Sequence, residues 1–193
     1  MLIVKHRINS IQTLKQIPEI HGIEIDVRDS HGKICLAHDP YDHGERLENF
    51  LKFYRHAFLI VNTKSDGLEM DVLRMLKRRS VQKFFFLDVA PPTLIRLVRQ
   101  GISQIAVRFS EYEPIESCFA LSGKVDWVWV DCFNFLPLNA KNYKRLKRHF
   151  KICLVSPELQ THPVSWIRQF KCSCAHFEID AVCTDFPNLW MRE

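Results

Sequence analysis

The sequence predicts an α/β fold, a single compact TIM-type (β/α)8 barrel with short or missing outer helices. Two observations predict it. Short apolar runs recur eight times along the 193 residues, and helical patterns lie between several of them. The runs are rich in Val, Ile and Phe and nearly continuous in hydrophobicity, as buried parallel strands are. Strand–helix alternation repeated eight times favours a closed parallel barrel over an open sheet.

The eight predicted strands follow one another with few gaps. They are residues 2–4, 22–27, 57–62, 83–89, 104–109, 125–131, 151–155 and 179–184. We expect the second to reach residue 28 and the third to reach residue 63. Each run ends in polar residues, and the carboxyl ends of parallel strands in a barrel meet at one face, where active sites are built.

Seven amphipathic segments predict the helices between these strands. They are residues 10–17, 46–54, 68–79, 91–101, 114–123, 142–150 and 165–170. The segment 91–101 opens with proline and closes on Gly101, as helices often do. Such barrels typically need about 250 residues, so the connections must be short. No Ser/Gly/Pro-rich linker divides the chain, and we treat residues 1–193 as one domain.

Composition excludes several classes of protein. The chain is 47% hydrophobic and 25% charged, which excludes a disordered protein. No apolar run approaches the roughly 20 residues of a membrane span, and the amino terminus lacks the pattern of a secretory signal. The seven cysteines are an odd number, and several lie inside apolar runs. They predict a reduced protein of the cytoplasm.

The formal charge of +5 raises the question of a nucleic-acid partner. Basic residues concentrate at 77–83 and 141–149, within helical patterns or at their ends. The sequence matches no helix-turn-helix, zinc finger or single-strand platform, so we expect no nucleic acid. A basic interaction module at 141–149 stays as a lesser alternative.

Two carboxylates and two histidines are the first candidates for chemistry. Glu24 and Asp26 are two apart on a predicted strand, so both point to one face. Buried together they repel, and Mg²⁺ or Ca²⁺ between them would relieve that repulsion. Acids on an exposed edge strand are the simpler alternative, which the flanking apolar residues disfavour. His6 and His38 flank the pair in sequence, and one can take a proton while the other gives one.

These motifs resemble those of the glycerophosphodiester phosphodiesterase family. The resemblance rests on KHR at 5–7, GIEIDVRDSHGKICLAHDP at 22–40, LIVNTK at 59–64 and AVCTDFPNLW at 181–190. It follows the family order of H-R, E-x-D, H-D and E-x-K or D-x-K. The family shares its barrel with phosphatidylinositol-specific phospholipase C and sphingomyelinase D. The resemblance therefore implies a metal-dependent phosphoric diester hydrolase.

The resemblance implies a role for each matching residue. His6 and His38 correspond to the acid/base pair, with their individual roles left open. Glu24 and Asp26 correspond to ligands of one Mg²⁺ or Ca²⁺. Arg7 and Lys64 correspond to cations that bind the phosphate.

The sequence departs from the family pattern at two positions. Ile8 replaces a glycine, and Asn62 replaces the third metal carboxylate. Asn62 would be a weak, uncharged ligand, with Asp88 or Asp131 as possible substitutes. Loss of the metal, leaving a protein that binds phosphate without turnover, is the main alternative.

Residues after the later strands are candidates for binding the rest of the substrate. We expect Arg108 and Asp131, with Ser110, Glu111 and Glu158, to line the same opening. Salt bridges at the barrel rim explain them equally well. The inserted segment that larger family members carry after H-D is absent, so we expect that side to be open. A bulky glycan- or lipid-linked diester would then suit the site, with Phe133, Phe135 and Phe186 as candidate contacts.

Overall fold

Eight parallel strands form a closed ring in the computed structural model, which describes residues 1–191. A ninth strand, β3, lies outside the ring and pairs with β2. In chain order the described strands are β1 Leu2–Lys5, β2 Gly22–Ser30, β3 Lys33–Leu36, β4 Phe58–Thr63, β5 Phe84–Leu87, β6 Ala106–Phe109, β7 Trp127–Val130, β8 Lys151–Val155 and β9 Ala181–Thr184. The order around the ring is β5-β4-β2-β1-β9-β8-β7-β6. The ring closes where the Phe86 N–H donates to the Gln104 carbonyl at 2.9 Å. The predicted parallel barrel is confirmed.

The outer helices are short, as the chain length requires. They are α1 Ile11–Leu14, α2 Leu47–Phe50, α3 Glu69–Arg78, α4 Pro91–Arg99, α5 Ile115–Phe119, α6 Ala140–Lys147, α7 Trp166–Cys174 and α8 Pro187–Trp190, with a 3₁₀ turn at Pro157–Gln160. The longest, α3, buries Val72, Leu73 and Leu76 on one face. None of the helices described within residues 1–191 is long and apolar enough to cross a membrane.

One strand was not predicted. β3 pairs antiparallel with the end of β2, with Val27 opposite Leu36 and Ser30 opposite Lys33. The turn between them places His31 and Gly32 at φ of 52° and 73°. Glycine adopts this left-handed backbone readily, which makes His-Gly a workable two-residue turn. None of the eight predicted strands covers residues 33–36; in the structure they form one arm of a hairpin that carries His38 back toward the barrel opening.

Alternation along each strand separates an inner cluster from the outer core. The inner cluster includes Phe58, Phe85, Trp127 and Trp129, all buried inside the ring. The rings of Phe58, Phe85 and Trp127 lie 5.0–5.7 Å apart, centroid to centroid. These aromatic side chains fill the barrel toward the amino ends of its strands. Several inward-facing residues farther along the strands, such as Glu24, Asp26 and Asn62, are polar, so the same alternation that builds the core also directs polar groups into the opening.

Candidate active site

A cavity of about 160 Å³ lies at the carboxyl ends of the barrel strands. Nine of the residues expected at the site line it: His6, Arg7, Glu24, Asp26, His38, Asn62, Lys64, Arg108 and Asp131. Asp88, Trp129 and Gln160 line it too, with Leu87, Val155 and Leu159 as apolar neighbours. We call this space the inner cavity.

Glu24 and Asp26 are both buried and both face the inner cavity, each with 1% exposure. They alternate with Ile23, Ile25 and Val27, which belong to the outer core. An exposed edge-strand pair is therefore excluded. Burial, followed by repulsion from Asp26, raises the pKa of Glu24 to about 7. A carboxyl with such a pKa lacks a full complement of positive partners.

Asp26 is the better neutralised of the two acids. Its Oδ1 lies 3.4 Å from Lys64 Nζ, and its Oδ2 lies 3.9 Å from Arg7 Nε. The Asn9 side-chain amide donates to Oδ2 at 2.8 Å and accepts from the Asp26 backbone N–H at the same distance. Asp26 is thereby fixed in orientation between two cations.

Asn62 and Glu24 leave two buried oxygens without partners. Glu24 Oε1 and Asn62 Oδ1 accept no hydrogen bond in the structure, whereas the other Glu24 oxygen, Oε2, does. The Arg7 backbone N–H, for example, donates to Glu24 Oε2 at 2.8 Å. Unpaired buried oxygens are costly unless a donor or cation meets them.

The donor set fits an oxygen-seeking divalent cation. Glu24, Asp26 and Asn62 offer only oxygen, the ligand type of Mg²⁺ and Ca²⁺. Within residues 1–191 no group of three or more His, Cys, Asp or Glu side chains is arranged to hold a metal, and the third candidate ligand here, Asn62, is an amide. The set carries two negative charges rather than three.

His6 follows β1 and lies between two carboxylates. Its Nδ1 is 3.5 Å from Asp185 Oδ1, and its Nε2 is 4.0 Å from Glu24 Oε2. The hydrogen bond with His6, more than the one with Lys5, lowers the pKa of Asp185 to about 2. Asp185 therefore stays ionised and holds the His6 ring with Nε2 toward the cavity.

His38 is the more open of the two histidines. Its Nδ1 lies 3.0 Å from Asp39 Oδ1, and about a third of its side chain is exposed. The hydrogen bond with the His38 ring lowers the pKa of Asp39. The Arg28 guanidinium donates to the His38 carbonyl at 2.8 Å. Both histidines thus have a carboxylate at Nδ1, which leaves Nε2 for other partners.

Arg7 has a left-handed backbone with φ of 52°. This conformation is uncommon for a residue with a Cβ, and such residues cluster at functional sites. The same turn directs the Arg7 N–H at Glu24 and its side chain at Asp26. Arg7 and Lys64 therefore present two positive charges beside the carboxylate pair.

Arg108 joins Asp88 and Asp131 on the opposite half of the barrel. Its Nε donates to Asp88 Oδ1 at 2.7 Å, and its Nη1 donates to Asp131 Oδ2. Asp131 is fully buried and also accepts from Trp129 Nε1 at 3.0 Å and Gln160 Nε2 at 2.6 Å. Burial raises the pKa of Asp131, against the opposing effect of Arg108. The two residues are salt-bridged and also line the inner cavity.

Three residues expected beside them do not line the inner cavity. Ser110 donates to Glu113, and Glu111 accepts backbone N–H groups of Asn134 and Phe135. Glu158 accepts from Ser156, Thr184 and the backbone N–H of Asp185. Phe133, Phe135 and Phe186 are partly exposed and likewise lie outside the cavity lining described in residues 1–191.

The structure adds residues that the sequence analysis did not assign to the site. Asp185 follows β9 and pairs with His6 across 179 positions of chain, and Asn9 fixes Asp26. The T-D-F-P segment carried a signal for Asp185, because it matched the family's last strand. Gln160 lies on a 3₁₀ turn that no periodicity indicated.

Three solved structures share this fold over nearly the whole chain. A protein assigned as a glycerophosphoryl diester phosphodiesterase from Agrobacterium tumefaciens has a TM-score of 0.71 and 15% identity, over 98% of this chain and 95% of its own. A glycerophosphodiester phosphodiesterase from the same organism has a TM-score of 0.67 and 15% identity, over 98% and 97%. A glycerophosphoryl diester phosphodiesterase from Parabacteroides distasonis has a TM-score of 0.66 and 12% identity, over 96% and 83%. No family model matches the sequence, and no curated protein does. At these identities the likeness establishes the fold.

Proposed function

We propose that this protein is a metal-dependent phosphodiesterase of the glycerophosphodiester phosphodiesterase family. The observation that carries the proposal is the inner cavity, where two carboxylate-paired histidines, two cations and a buried carboxylate pair line about 160 Å³. The three solved neighbours named as glycerophosphodiester or glycerophosphoryl diester phosphodiesterases support it. The chain keeps His6, Arg7, Glu24, Asp26, His38 and Lys64 together in that space.

The histidines carry the proton transfers in this proposal. One deprotonates the nucleophile, either water or a neighbouring hydroxyl of the substrate, and the other protonates the leaving alkoxide. Asp185 and Asp39 hold the Nδ1 atoms of His6 and His38, so that Nε2 faces the substrate in each case. Arg7 and Lys64 bind the phosphoryl oxygens and stabilise the charge that develops on them.

Glu24 and Asp26 would hold one Mg²⁺ or Ca²⁺, with Asn62 as an uncharged third ligand. The unpaired oxygens of Glu24 and Asn62 support this assignment. When bound, the cation supplies positive charge next to the phosphoryl oxygens. Because the ligand set has two charges rather than three, we expect weak binding.

Arg108 and Asp131 would contact the alcohol that enters the inner cavity. Arg108 Nη2 makes no hydrogen bond within residues 1–191, and neither does Asp88 Oδ2, so this cluster keeps a donor and an acceptor for a ligand. Such a pair suits the hydroxyls of a glycerol-like alcohol. The second alcohol of the diester is the glycan- or lipid-linked part. We place the protein in the cytoplasm, where its seven unpaired cysteines stay reduced.

A phosphate-binding protein without turnover is the second candidate function. It is favoured by Asn62, which lowers the charge of the metal ligand set. The basic module at 141–149 has less support. Lys147 is paired with Asp180, and Arg145 pairs with Glu116 over the Phe119 ring, so part of this charge stabilises the fold.

Turnover of glycerophosphodiesters with added Mg²⁺, with added Ca²⁺ and with a chelator tests the proposal. We expect release of a phosphomonoester that the chelator abolishes. Phosphomonoester binding without turnover under all three conditions would establish the second candidate instead. Salt-dependent retention on DNA or RNA, unaffected by the chelator, would support the basic module.

A further inference from the structure

A second cavity of about 490 Å³ adjoins the inner cavity and shares Arg7 and His38 with it. It runs between the segment 9–13, which follows β1, and the segment 36–44, which begins at the last residue of β3. We call it the outer groove. It is about three times as large as the inner cavity and lies on the side where the inserted segment of larger family members is missing.

The outer groove is held open by contacts of the main chain. Gly44 packs against Leu36 so closely that a Cβ there would meet the Leu36 carbonyl oxygen at 1.6 Å. The Leu36 N–H donates to the Glu45 carbonyl at 2.8 Å, and the Glu45 carboxylate accepts from the Ile11 N–H at 3.0 Å. Glu45 thus ties the two sides of the groove together. A groove formed before binding costs the ligand little ordering free energy.

The two cavities fit the two alcohols of a phosphodiester. In the strand order, β1 and β2 lie across the ring from β7 and β6. The phosphate-binding residue Arg7 borders both cavities, so one alcohol can enter the inner cavity toward Arg108 while the other lies in the outer groove. A small alcohol fills the first, and the second accepts a larger group.

The lining of the outer groove is mostly polar. Ser10 and Thr13 lie on one side, and Asp39, Asp42 and His43 lie on the other. The Asp42 carboxylate makes no hydrogen bond within residues 1–191, and most of the Asp39 side chain is exposed. Leu36 and Ala37 are the apolar lining residues, and both are already buried by the protein. An acyl chain would therefore gain little contact, whereas hydroxyls can both donate and accept.

We infer that the outer groove is the subsite for a polyhydroxylated, sugar-sized alcohol of the substrate rather than for a lipid chain. The inference rests on the proposed function for its substrate, and it names which of the two linked groups the site accepts. Thr13 is exposed and lines the groove from α1, so an indole at this position would occupy the space without disturbing the core.

Binding of phosphomonoesters tests the inference without requiring turnover. The probes are hexose 1-phosphate, ethyl phosphate and dodecyl phosphate, measured by calorimetry. We expect hexose 1-phosphate to bind at least about tenfold more tightly than ethyl phosphate, a difference of about 1.4 kcal/mol. Thr13→Trp should remove that difference, and Asp42→Ala should reduce it. Glu48→Ala, an exposed acid outside both cavities, is the matched control and should leave the ratio of the two dissociation constants unchanged.

A second measurement separates this inference from the proposed function. Diesters of glycerol phosphate with ethanol, a hexose or dodecanol are compared by kcat/KM, and the hexosyl ester should be the best substrate. Equal binding of hexosyl and ethyl phosphates, a ratio unaffected by Thr13→Trp, or a preference for the dodecyl probe would overturn the inference. Selective hexose phosphate binding without turnover of any diester would uphold the groove and refute the phosphodiesterase.

Discussion

Asp185 Oδ1 lies 3.5 Å from Nδ1 of His6, although the two residues are near opposite ends of the chain. β1 and β9 are adjacent parallel strands, with Lys5 opposite Thr184, so barrel closure brings the pair together. The contact makes Asp185 a positioning residue for a histidine of the proposed acid/base pair.

Asp185→Asn should lower kcat by at least about tenfold with little change in KM, because the His6 ring loses the carboxylate that orients it. Asp185→Glu should recover part of the loss. kcat and KM are measured separately for each variant, together with the midpoint of unfolding in urea. If both variants lose stability and kcat in parallel, Asp185 serves only to join β9 to Lys5.

His6→Ala and His38→Ala should each lower kcat by about 10²–10⁴-fold, the usual contribution of general acid–base catalysis. Both side chains are partly exposed, so the fold should persist, as circular dichroism can confirm. His176→Ala, an exposed histidine outside both cavities, is the matched control. Near-normal turnover in either variant would remove that histidine from the mechanism.

Asn62→Asp should tighten Mg²⁺ or Ca²⁺ binding by about tenfold or more, because it adds a third charge to the ligand set. When a chelator removes the metal, the same change should lower the urea concentration at the unfolding midpoint, since three buried carboxylates then repel one another. Added metal should reverse that loss. Asn188→Asp, exposed on α8, changes the net charge equally and is the control. Unchanged metal affinity would place Asn62 outside the coordination sphere.

Arg108→Lys should lower kcat/KM for a glycerol ester by about tenfold more than for the matching ethyl ester. Lysine retains the charge beside Asp88 and Asp131 but loses the fixed fork that presents Nη2 to a hydroxyl. Equal losses for both esters would show that Arg108 only closes a salt bridge at the barrel rim.

Glu69→Gln should stabilise the protein by about 1 kcal/mol at pH 7, which is the typical free-energy cost of burying a polar group without a hydrogen-bond partner. Burial raises the pKa of Glu69, and neither carboxylate oxygen meets a donor in hydrogen-bond geometry. The folded state therefore holds its proton to higher pH than the unfolded state, so the native protein loses stability as pH rises above 4.5. The gain from Glu69→Gln should shrink toward pH 4.5 in urea titrations. A gain independent of pH would contradict this origin.

Side chains alternate between the two faces of a strand, and this explains why much of the site could be predicted from the sequence. Glu24 and Asp26 alternate with apolar neighbours, and Asp131 follows Trp127 and Trp129 in step, so their common inward direction was readable. β3 was missed because no helical pattern separates it from β2, so it falls outside the strand–helix alternation, although His31-Gly32 was a turn signal.

Pairings across the ring could not be predicted in the same way. The contact of Asp185 with His6 and the binding of Arg108 by Asp88 and Asp131 depend on strand neighbours distant in sequence. The outer groove depends on the close approach of Gly44 to Leu36, which no local pattern encodes.

The two histidines follow strands that differ in how easily they unfold locally. His6 follows β1, which is paired on both sides, and its N–H donates to the Thr184 carbonyl at 3.0 Å. His38 follows β3, which pairs with β2 along one edge and has only the isolated Cys35–Arg46 bridge on the other. The hairpin can therefore separate from the barrel while the ring stays intact, exchanging its amide hydrogens at a lower free energy than the barrel strands. Mild denaturant should consequently displace His38 before His6, and any turnover that needs both histidines should be lost before the barrel unfolds.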